Sequence, residues 1–323
     1  MPSTPTPDHR ISAQDEHVHT SWSRDHEPIR TVESGDVIRF ECRDATDGRL
    51  DADSTVEDVS ALVGALPGHP LTGPVAVDGA KPGDVLAVEL LSFEHEGIGF
   101  TYCYGGDEGT GLLPEDFDEP GLHVWELEGD VGHFVDGIEV PLAPFPGNLG
   151  VAPADDGEHS TVPPRRVGGN LDVKHLTEGS TLYLPVEVDG ALFSIGDCHG
   201  AQGDGEVCIT GIEAPMSVTA RLRVVSGMDI EQPQFETDGP FAATRGERAY
   251  GTSGISDDLM DASKKAIRHM ITHLHANHGL SRTDAYLLCS AAVDLKINEV
   301  VDAPNWVVSA YLPQSIFPEN GTK

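Results

Sequence analysis

Short stretches of alternating apolar and polar residues, separated by turns, recur through the first 225 residues of the chain. Ile29–Val32 and Val37–Cys42 flank a turn at Glu33–Asp36, and Val85–Leu91 follows a second turn at Lys81–Asp84. Successive side chains of a strand point to opposite faces, so this period of two is typical of strands that bury one face. The turn spacing predicts hairpins at these places and a body made mainly of β-strands.

The pattern changes after residue 255. Apolar residues recur at helical spacing over 259–274, where Asp257 can cap the start of a helix and Gly279 is a natural stop. A second apolar run with helical spacing covers Ala285–Val293, and Trp306–Leu312 has the alternation of a closing strand. This part of the chain is therefore predicted to mix helices with strands.

These patterns divide the chain into three predicted segments. Residues 1–16 are rich in proline and charge and are expected to be a disordered tail. Residues 17–226 form the β-rich body, and residues 227–323 form a smaller α+β part that completes the fold. Two glycine- and proline-rich segments, 97–121 and 145–170, are predicted to be long connections, which in compact domains are often functional.

The chain is strongly acidic. Its 54 Asp and Glu residues against 20 Lys and Arg give a formal net charge of −34. Such a surface repels phosphate backbones and anionic lipids, so a nucleic-acid or membrane partner is not expected. No apolar run approaches the roughly 20 residues that span a bilayer, and the N-terminal residues lack a signal-peptide pattern, so we expect a cytoplasmic protein.

Three explanations of the acid excess stay open. The first is a surface adapted to concentrated salt, where the Debye length falls to about 3 Å at 1 M and mutual repulsion is screened. The second is an array of cation sites, although the sequence has no EF-hand spacing. The third is a partner with a basic surface. The dispersion of the acids along the whole chain favours the first explanation.

The densest polar cluster combines two glycine-rich segments, Gly168–Asp172 and Gly196–Glu206. In extended backbone Asn170 shares a face with Asp172, Asp197 with His199, and Asp204 with Glu206. We therefore predict that these side chains converge on one pocket. In that arrangement Cys198 points away from the face of Asp197 and His199, into a core.

Several chemistries suit this cluster. Histidine and carboxylates with an open position can hold a hydrolytic metal, zinc above all, whereas an all-oxygen subset suits calcium. Crowded carboxylates can also raise one another's pKa and supply a general base without a metal. A cysteine nucleophile is a further option, with Cys208 slightly ahead of Cys198. The alternative is a purely structural role, in which the Asp-Gly pairs only form turns. Asp44 is likewise either a pocket residue or a turn cap.

The five cysteines give no other signal. They are scattered and contain no CxxC pair, so the sequence indicates neither a zinc ribbon nor a disulfide framework. We expect reduced, mostly buried thiols.

The chain from Val18 to Phe317 resembles the acetamidase/formamidase family of amide hydrolases. The matching stretches include Ser34–Asp36, Phe40–Glu41 with Asp44, Pro70–Pro74, Gly79–Leu86, Gly150–Pro153, Gly168–Asp172, Gly179–Val186, Gly196–Asp197 with His199, Gly203–Cys208, Val300–Asp302 and Leu312–Pro313. The resemblance implies a β-sandwich-like body with an α+β part, homo-oligomers that are often dimers, and a divalent metal. It also implies hydrolysis of short aliphatic amides, such as formamide or acetamide, to a carboxylate and ammonia.

On that basis we expect metal-assisted hydrolysis. His199, Asp197 and Asp172 would hold the ion, while Glu206 or Asp204 would move the protons and Asn170 would bind the substrate or the developing oxyanion. Two other functions stay open: a β-sandwich binding module without chemistry, and a hydrolase of a larger or urea-like carbon–nitrogen substrate.

The charge excess predicts a dependence of stability on salt. Below roughly 0.5 M salt, where screening weakens, the folded protein should lose stability because its surface carboxylates repel one another. The midpoint of thermal unfolding, measured across a series of salt concentrations, tests this. A protein that stays folded and active in dilute buffer would require another explanation of the charge.

Overall fold

The structure is a computed structural model of the full chain. It describes residues 5–105, 119–134, 139–202, 206, 208–237, 248–280 and 293–314. Within these ranges the chain is mostly β, with one long helix near its C-terminal end.

Strands follow one another along most of the described chain, with α-helices in two places. The strands are β1 (His9–Ile11), β2 (Val18–His19), β3 (Ser21–Trp22), β4 (Arg30–Val32), β5 (Val37–Cys42), β6 (Leu71–Val77), β7 (Val85–His95), β8 (Ile98–Cys103), β9 (Gly121–Glu128), β10 (Val131–His133), β11 (Glu139–Pro141), β12 (Phe145–Gly150), β13 (His159–Ser160), β14 (Gly168–Asn170), β15 (Thr181–Pro185), β16 (Phe193–His199), β17 (Met216–Val225), β18 (Gln234–Thr237), β19 (Ala249–Ser256), β20 (Asp294–Glu299) and β21 (Trp306–Pro313). The α-helices are α1 (Val56–Leu62) and α2 (Leu259–His278), and Asp15–His17 form a single 3₁₀ turn.

Two large sheets form the framework. The first has nine strands in the order β1-β5-β17-β7-β15-β18-β19-β21-β20, and the second has six, with β14-β12-β16-β6-β2 in sequence and β4 paired to β6. Smaller sheets are formed by β11-β10-β9-β8 and by β13-β3. Most pairs are antiparallel, while β1 with β5 and β4 with β6 are parallel.

The main core lies between the two large sheets. Alternate residues of β5, β7 and β17 in the first sheet and of β6, β12 and β16 in the second belong to one buried apolar cluster. Phe40 of β5 and Phe193 of β16 meet edge to face across the sheets, with ring centroids 5.7 Å apart. The expected β-sandwich-like body is therefore confirmed.

The predicted hairpins are wrong, although their strands and turns are present. β4 pairs with β6 in the six-stranded sheet, whereas β5 pairs with β1 and β17 in the nine-stranded one. The turn that separates β6 from β7 likewise joins the two sheets. Both strands at each turn bury a face in the same core, and alternation reports burial without identifying the neighbouring strand.

Two segments predicted to lack regular structure contain strands. Segment 97–121 includes β8, and segment 145–170 includes β12, β13 and β14. Glycine and proline conceal these strands in the sequence, since β12 contains both Pro146 and Gly147. The predicted disordered tail also contains β1, which pairs in register with β5 from His9 to Ile11.

The long helix matches its prediction closely. Asp258, rather than Asp257, caps α2 by accepting a hydrogen bond from the Asp261 N–H at 2.7 Å, and Gly279 ends it in the left-handed conformation. The apolar face of α2 packs on β19 and β21. Gly254 of β19 permits this approach, because a Cβ there would lie 2.0 Å from the carbonyl oxygen of Ala262. The second predicted helical run, 285–293, lies almost entirely outside the described residues.

Neither of the described α-helices has the length and apolar character that a membrane span requires.

The contact between α2 and β19 predicts that the stability of the folded protein depends on pH. His273 stacks on Tyr250 with ring centroids 3.5 Å apart, and burial lowers its pKa to about 4. In the unfolded chain a histidine has its ordinary pKa of about 6.5. Between pH 6.5 and 4 the unfolded chain therefore binds a proton at His273 that the folded protein does not bind. The stability that neutral His273 contributes is present above pH 6.5 and is lost as the pH falls toward 4. His273→Phe keeps the stack but removes the titration.

Between pH 7 and 5 the wild type should therefore lose roughly 1–2 kcal/mol more unfolding free energy than His273→Phe. Urea titrations at a series of pH values measure this difference. The matched control is His275→Phe, because His275 is an exposed histidine of the same helix. Parallel pH profiles for wild type and His273→Phe would contradict the prediction.

Candidate active site

Three neighbouring strands of the six-stranded sheet bring the predicted polar residues together. β14 and β16 both pair with β12, so Asn170 lies opposite Asn148 and His199 lies opposite Phe145. The chain beyond β14 is held by the carbonyl oxygen of Gly147, which accepts hydrogen bonds from the backbone of Leu171 and Asp172. The fold thereby places the two glycine-rich segments of the sequence side by side.

His199 is the centre of the cluster. Its ring is only 1 % exposed and stacks on Phe145, with centroids 4.9 Å apart and planes 11° apart. His199 Nε2 lies 2.9 Å from Glu213 Oε1 and 3.2 Å from Glu206 Oε1. The imidazole is therefore fixed on one side by an aromatic ring and at its edge by two carboxylates.

Glu213 reaches His199 because the chain folds back on itself after β16. Its N–H and C=O pair with the backbone of Phe100 on β8, and Gly200 N–H donates to the Ile212 carbonyl. Glu213 Oε1 also accepts a hydrogen bond from Gly211 N–H at 2.9 Å. Glu213 therefore becomes a neighbour of His199 through backbone pairing, although the two residues are well separated in the sequence.

The cluster contains two overlapping sets of potential metal ligands. Asp172, His199 and Glu206 form one set, and Asp197, His199 and Glu213 form the other. Within each set the ligand atoms lie no more than 4.8 Å apart, and every member is buried. Asp302 lines the same space.

Burial and mutual repulsion dominate the electrostatics of these groups. Burial and the neighbouring Glu206 hold the pKa of Asp172 well above its usual value, and burial does the same for the pKa of Glu206 and raises that of Glu213. Burial acts to lower the pKa of His199, but the charge of Glu213 and the hydrogen bonds that His199 donates to Glu206 and Glu213 outweigh it and raise that pKa well above normal. The carboxylates therefore need positive charge beside them, as protons or as a cation.

Several atoms of the cluster lack hydrogen-bond partners among the described residues. They are both carboxylate oxygens of Asp172, Oε2 of Glu213 and Nδ1 of His199. Buried polar atoms are nearly always satisfied in native proteins, so these four indicate a missing partner. Carboxylate oxygens with an imidazole nitrogen are a donor set that suits a divalent metal, and this cluster fits one.

The backbone at three of these acids is unusual. Asp172, Asp197 and Glu206 all have positive φ, at 45°, 53° and 46°. Residues other than glycine adopt this left-handed conformation rarely, and such strain concentrates at functional sites. The rest of the fold holds these three carboxylates in directions that regular strand geometry would not give them.

The cluster opens onto a cavity of about 180 Å³. Its polar wall is formed by Asn170, Asp172, Asp197, His199, Glu206, Glu213, His69 and Asp302, and its other lining residues include Ala45, Leu66, Val162, Ile209, Tyr102 and Tyr104. The structure thus brings together five of the predicted site residues: Asn170, Asp172, Asp197, His199 and Glu206. Asp204 lies outside the described residues.

The remaining candidates lie around this cavity rather than in its lining. Asp44 accepts hydrogen bonds from Thr46 and from Gly48 N–H, which is the geometry of a turn cap. Cys198 is fully buried in the main core, as expected from strand alternation. Cys208 is half-buried, burial raises its pKa, and its thiol contacts the carbonyl oxygens of Tyr102 and Thr210. A raised thiol pKa disfavours the reactive thiolate form.

Sequence reasoning missed three of the eight residues that form the polar wall of the cavity. Glu213 lies between apolar residues, and an isolated acid inside an apolar run was an available signal. Asp302 was part of a matching motif but had no neighbour in sequence to suggest a site. His69, whose Nδ1 is 3.8 Å from Asp197 Oδ2, precedes Pro70 and gave no pattern at all.

Comparison with known proteins identifies the family. The model of the "Acetamidase/Formamidase family" matches residues 6–159 and 154–319, nearly the whole chain. The chain belongs to this family. It is 28 % identical to the formamidase of Methylophilus methylotrophus, over 94 % of this chain and 90 % of that protein. It is also 30 % identical to the acetamidase of Mycolicibacterium smegmatis, over 87 % of each.

Solved structures agree with this assignment. An acetamidase from Bacillus halodurans superposes with a TM-score of 0.86 at 30 % identity, covering 97 % of this chain and all of that one. A gamma lactamase from Delftia acidovorans superposes with a TM-score of 0.68 at 28 % identity, covering 94 % and 90 %. This member of the acetamidase/formamidase family is an amide-hydrolysing enzyme.

The tight fit of Gly147 against the cluster leads to a prediction. A Cβ at Gly147 would lie 2.5 Å from Asp172 Oδ1 and 2.5 Å from His199 Cε1, so Gly147→Ala must push both groups apart. Displacing catalytic groups by about 1 Å costs on the order of 100-fold in rate, and we expect a loss of kcat/KM of that size. Steady-state assays of amide hydrolysis, with thermal melts to verify folding, measure it.

Gly200→Ala is the matched control, because its Cβ would meet only side chains of Ile212 and Leu142, none closer than 3.4 Å. This variant should keep its activity although it neighbours His199. Equal activity of the two variants would show that the packing around Gly147 does not constrain the site.

Proposed function

We propose that this enzyme hydrolyses short aliphatic amides, of the formamide and acetamide type, to a carboxylate and ammonia. The observation that carries the proposal is the small cavity in front of the His199 cluster. Its volume of about 180 Å³ lies below the roughly 300–1,000 Å³ of pockets that take drug-sized ligands. The names of the formamidase and acetamidase relatives support the same substrate class.

We further propose that His199, Asp197 and Asp172 hold a divalent cation, with Glu213 as an added ligand. The unpartnered oxygens of Asp172 and Glu213 support this, since a cation is the partner that they lack. A nitrogen ligand among carboxylates favours zinc, with calcium second. A cation bound here supplies polarisation of the amide carbonyl and lowers the pKa of water.

Glu206 is the proposed proton carrier. Burial raises its pKa well above normal, which brings the carboxyl closer to a pH at which it both accepts and donates a proton. Its hydrogen bond to His199 holds it at the cluster. In this role Glu206 takes a proton from the attacking water and passes it to the amide nitrogen, which leaves as ammonia. Asp204 is the alternative carrier.

Asn170, which belongs to the polar wall of the cavity, is proposed to bind the amide. It is 2 % exposed and lines the cavity, so it can reach a substrate only inside the site. Leu66, Ala45 and Val162 line the same cavity, and there they can take the short alkyl group of the amide.

A second candidate is hydrolysis of a larger or cyclic amide. The structural likeness to a gamma lactamase supports this second candidate. The expectations of a homo-oligomer, with a dimer favoured, of a cytoplasmic location and of adaptation to salt stay predictions.

The test is a panel of ammonia-release assays in 2–4 M salt, roughly the range in which surface repulsion is well screened. Formamide, acetamide, propionamide and a γ-lactam are the substrates, with ring opening followed for the last, and metal is measured in the same sample. We expect turnover of the linear amides, loss after exhaustive chelation and recovery with zinc. Glu206→Gln should keep its metal but lose about 100- to 10,000-fold in kcat.

Cys208→Ala is the control variant and should retain turnover. Full activity after metal removal would contradict the metal proposal, and exclusive turnover of the lactam would favour the second candidate. A folded protein inert toward every amide would leave only a binding function.

A further inference from the structure

Asn170 is the last member of a buried hydrogen-bonded chain that begins in the C-terminal part of the fold. Glu299, at the end of β20, is fully buried, and its Oε1 accepts hydrogen bonds from the backbone N–H groups of Val301 and Asp302. Asp302 Oδ2 in turn accepts a hydrogen bond from Asn170 Nδ2 at 2.5 Å. The nine-stranded sheet thereby fixes a side chain that projects from the six-stranded one.

This series of hydrogen bonds sets which way the side-chain amide of Asn170 faces. A carboxylate accepts hydrogen bonds but does not donate them, so the NH₂ group of Asn170 must face Asp302. The carbonyl oxygen Oδ1 then points the other way. It is buried and receives no hydrogen bond from any described residue, although the side chain lines the cavity. A buried acceptor without a partner in a native site calls for a ligand that donates.

We propose that Asn170 Oδ1 accepts a hydrogen bond from the N–H of the bound amide, and that Asp302 is the positioning residue that holds it in this orientation. The inference rests on the proposed function and narrows its substrate class to amides that retain an N–H. It also gives Asn170 a different task from oxyanion stabilisation, because its amino group is engaged by Asp302.

The contact with Asn170 Oδ1 should distinguish substrates that have an N–H from substrates that lack one. A site built to pair with an N–H leaves its own acceptor unpaired when the substrate lacks one, and such sites reject the analogue strongly. An ester of the same acyl group has no N–H but has the same carbonyl. Comparing an amide with its ester therefore isolates the contact to Asn170 from everything that acts on the carbonyl.

The experiment compares kcat/KM for acetamide and methyl acetate in the wild type, Asp302→Asn and Asn170→Ser. In Asp302→Asn the new side-chain amide can itself donate a hydrogen bond, so the side-chain amide of Asn170 is free to rotate by half a turn. We expect kcat/KM for acetamide to fall about 10-fold or more, while that for methyl acetate changes less than about threefold. Asn170→Ser should shift the amide-to-ester ratio in the same direction, since a hydroxyl is too short to reach.

Asp189→Asn is the matched control, because Asp189 is an exposed partner of Lys81 and does not line the cavity. Its ratio should equal that of the wild type. Thermal melts identify a variant that fails to fold. If Asp302→Asn does not fold, the amide-to-ester ratio of Asn170→Ser tests the inference in its place. Equal losses on both substrates in the folded variants overturn the inference while leaving the proposed function standing. A wild type that hydrolyses neither acetamide nor any other short amide overturns both.

Discussion

Repulsion among buried carboxylates is the constraint around which this site is built. Asp172, Asp197, Glu206 and Glu213 surround a single imidazole, and each is at most 6 % exposed. Carboxylates brought this close inside a protein do not all ionise unless positive charge accompanies them. The pairing of β12 with β14 and β16 holds together groups that would otherwise separate.

Close backbone approach is how the fold achieves this. Gly147 of β12 and Gly211 beyond β16 both leave room against His199, since a Cβ at either position would lie 2.5 Å from an imidazole carbon. Positive φ at Asp172, Asp197 and Glu206 then aims the carboxylates inward. Local strain of this kind costs free energy, and it is sustained by pairing of β12, β14 and β16 over a fully buried core.

Much of this could be predicted from the sequence, and the parts that could not share a physical cause. Strand alternation and helix spacing depend on local burial, so β5, β7, α2 and β21 were found near their true positions. Strand partners depend on contacts between distant segments, which is why the expected hairpins were divided between two sheets. The site followed the same rule: Asn170, Asp172, Asp197 and His199 lie within two short segments, whereas Asp302 and His69 reach the cavity from far along the chain.

The surface acids and the buried cluster around His199 use the same residue types under opposite electrostatic conditions. Surface carboxylates are immersed in solvent, so dissolved ions screen them over a few ångströms in concentrated salt. The carboxylates around His199 are at most 6 % exposed, and bulk salt screens buried charges far less. Salt therefore acts on the free energy of folding much more than on the protonation or ligand affinity of the cluster. A protein of net charge −34 can adapt its surface to its medium without altering the chemistry of the few acids that it buries.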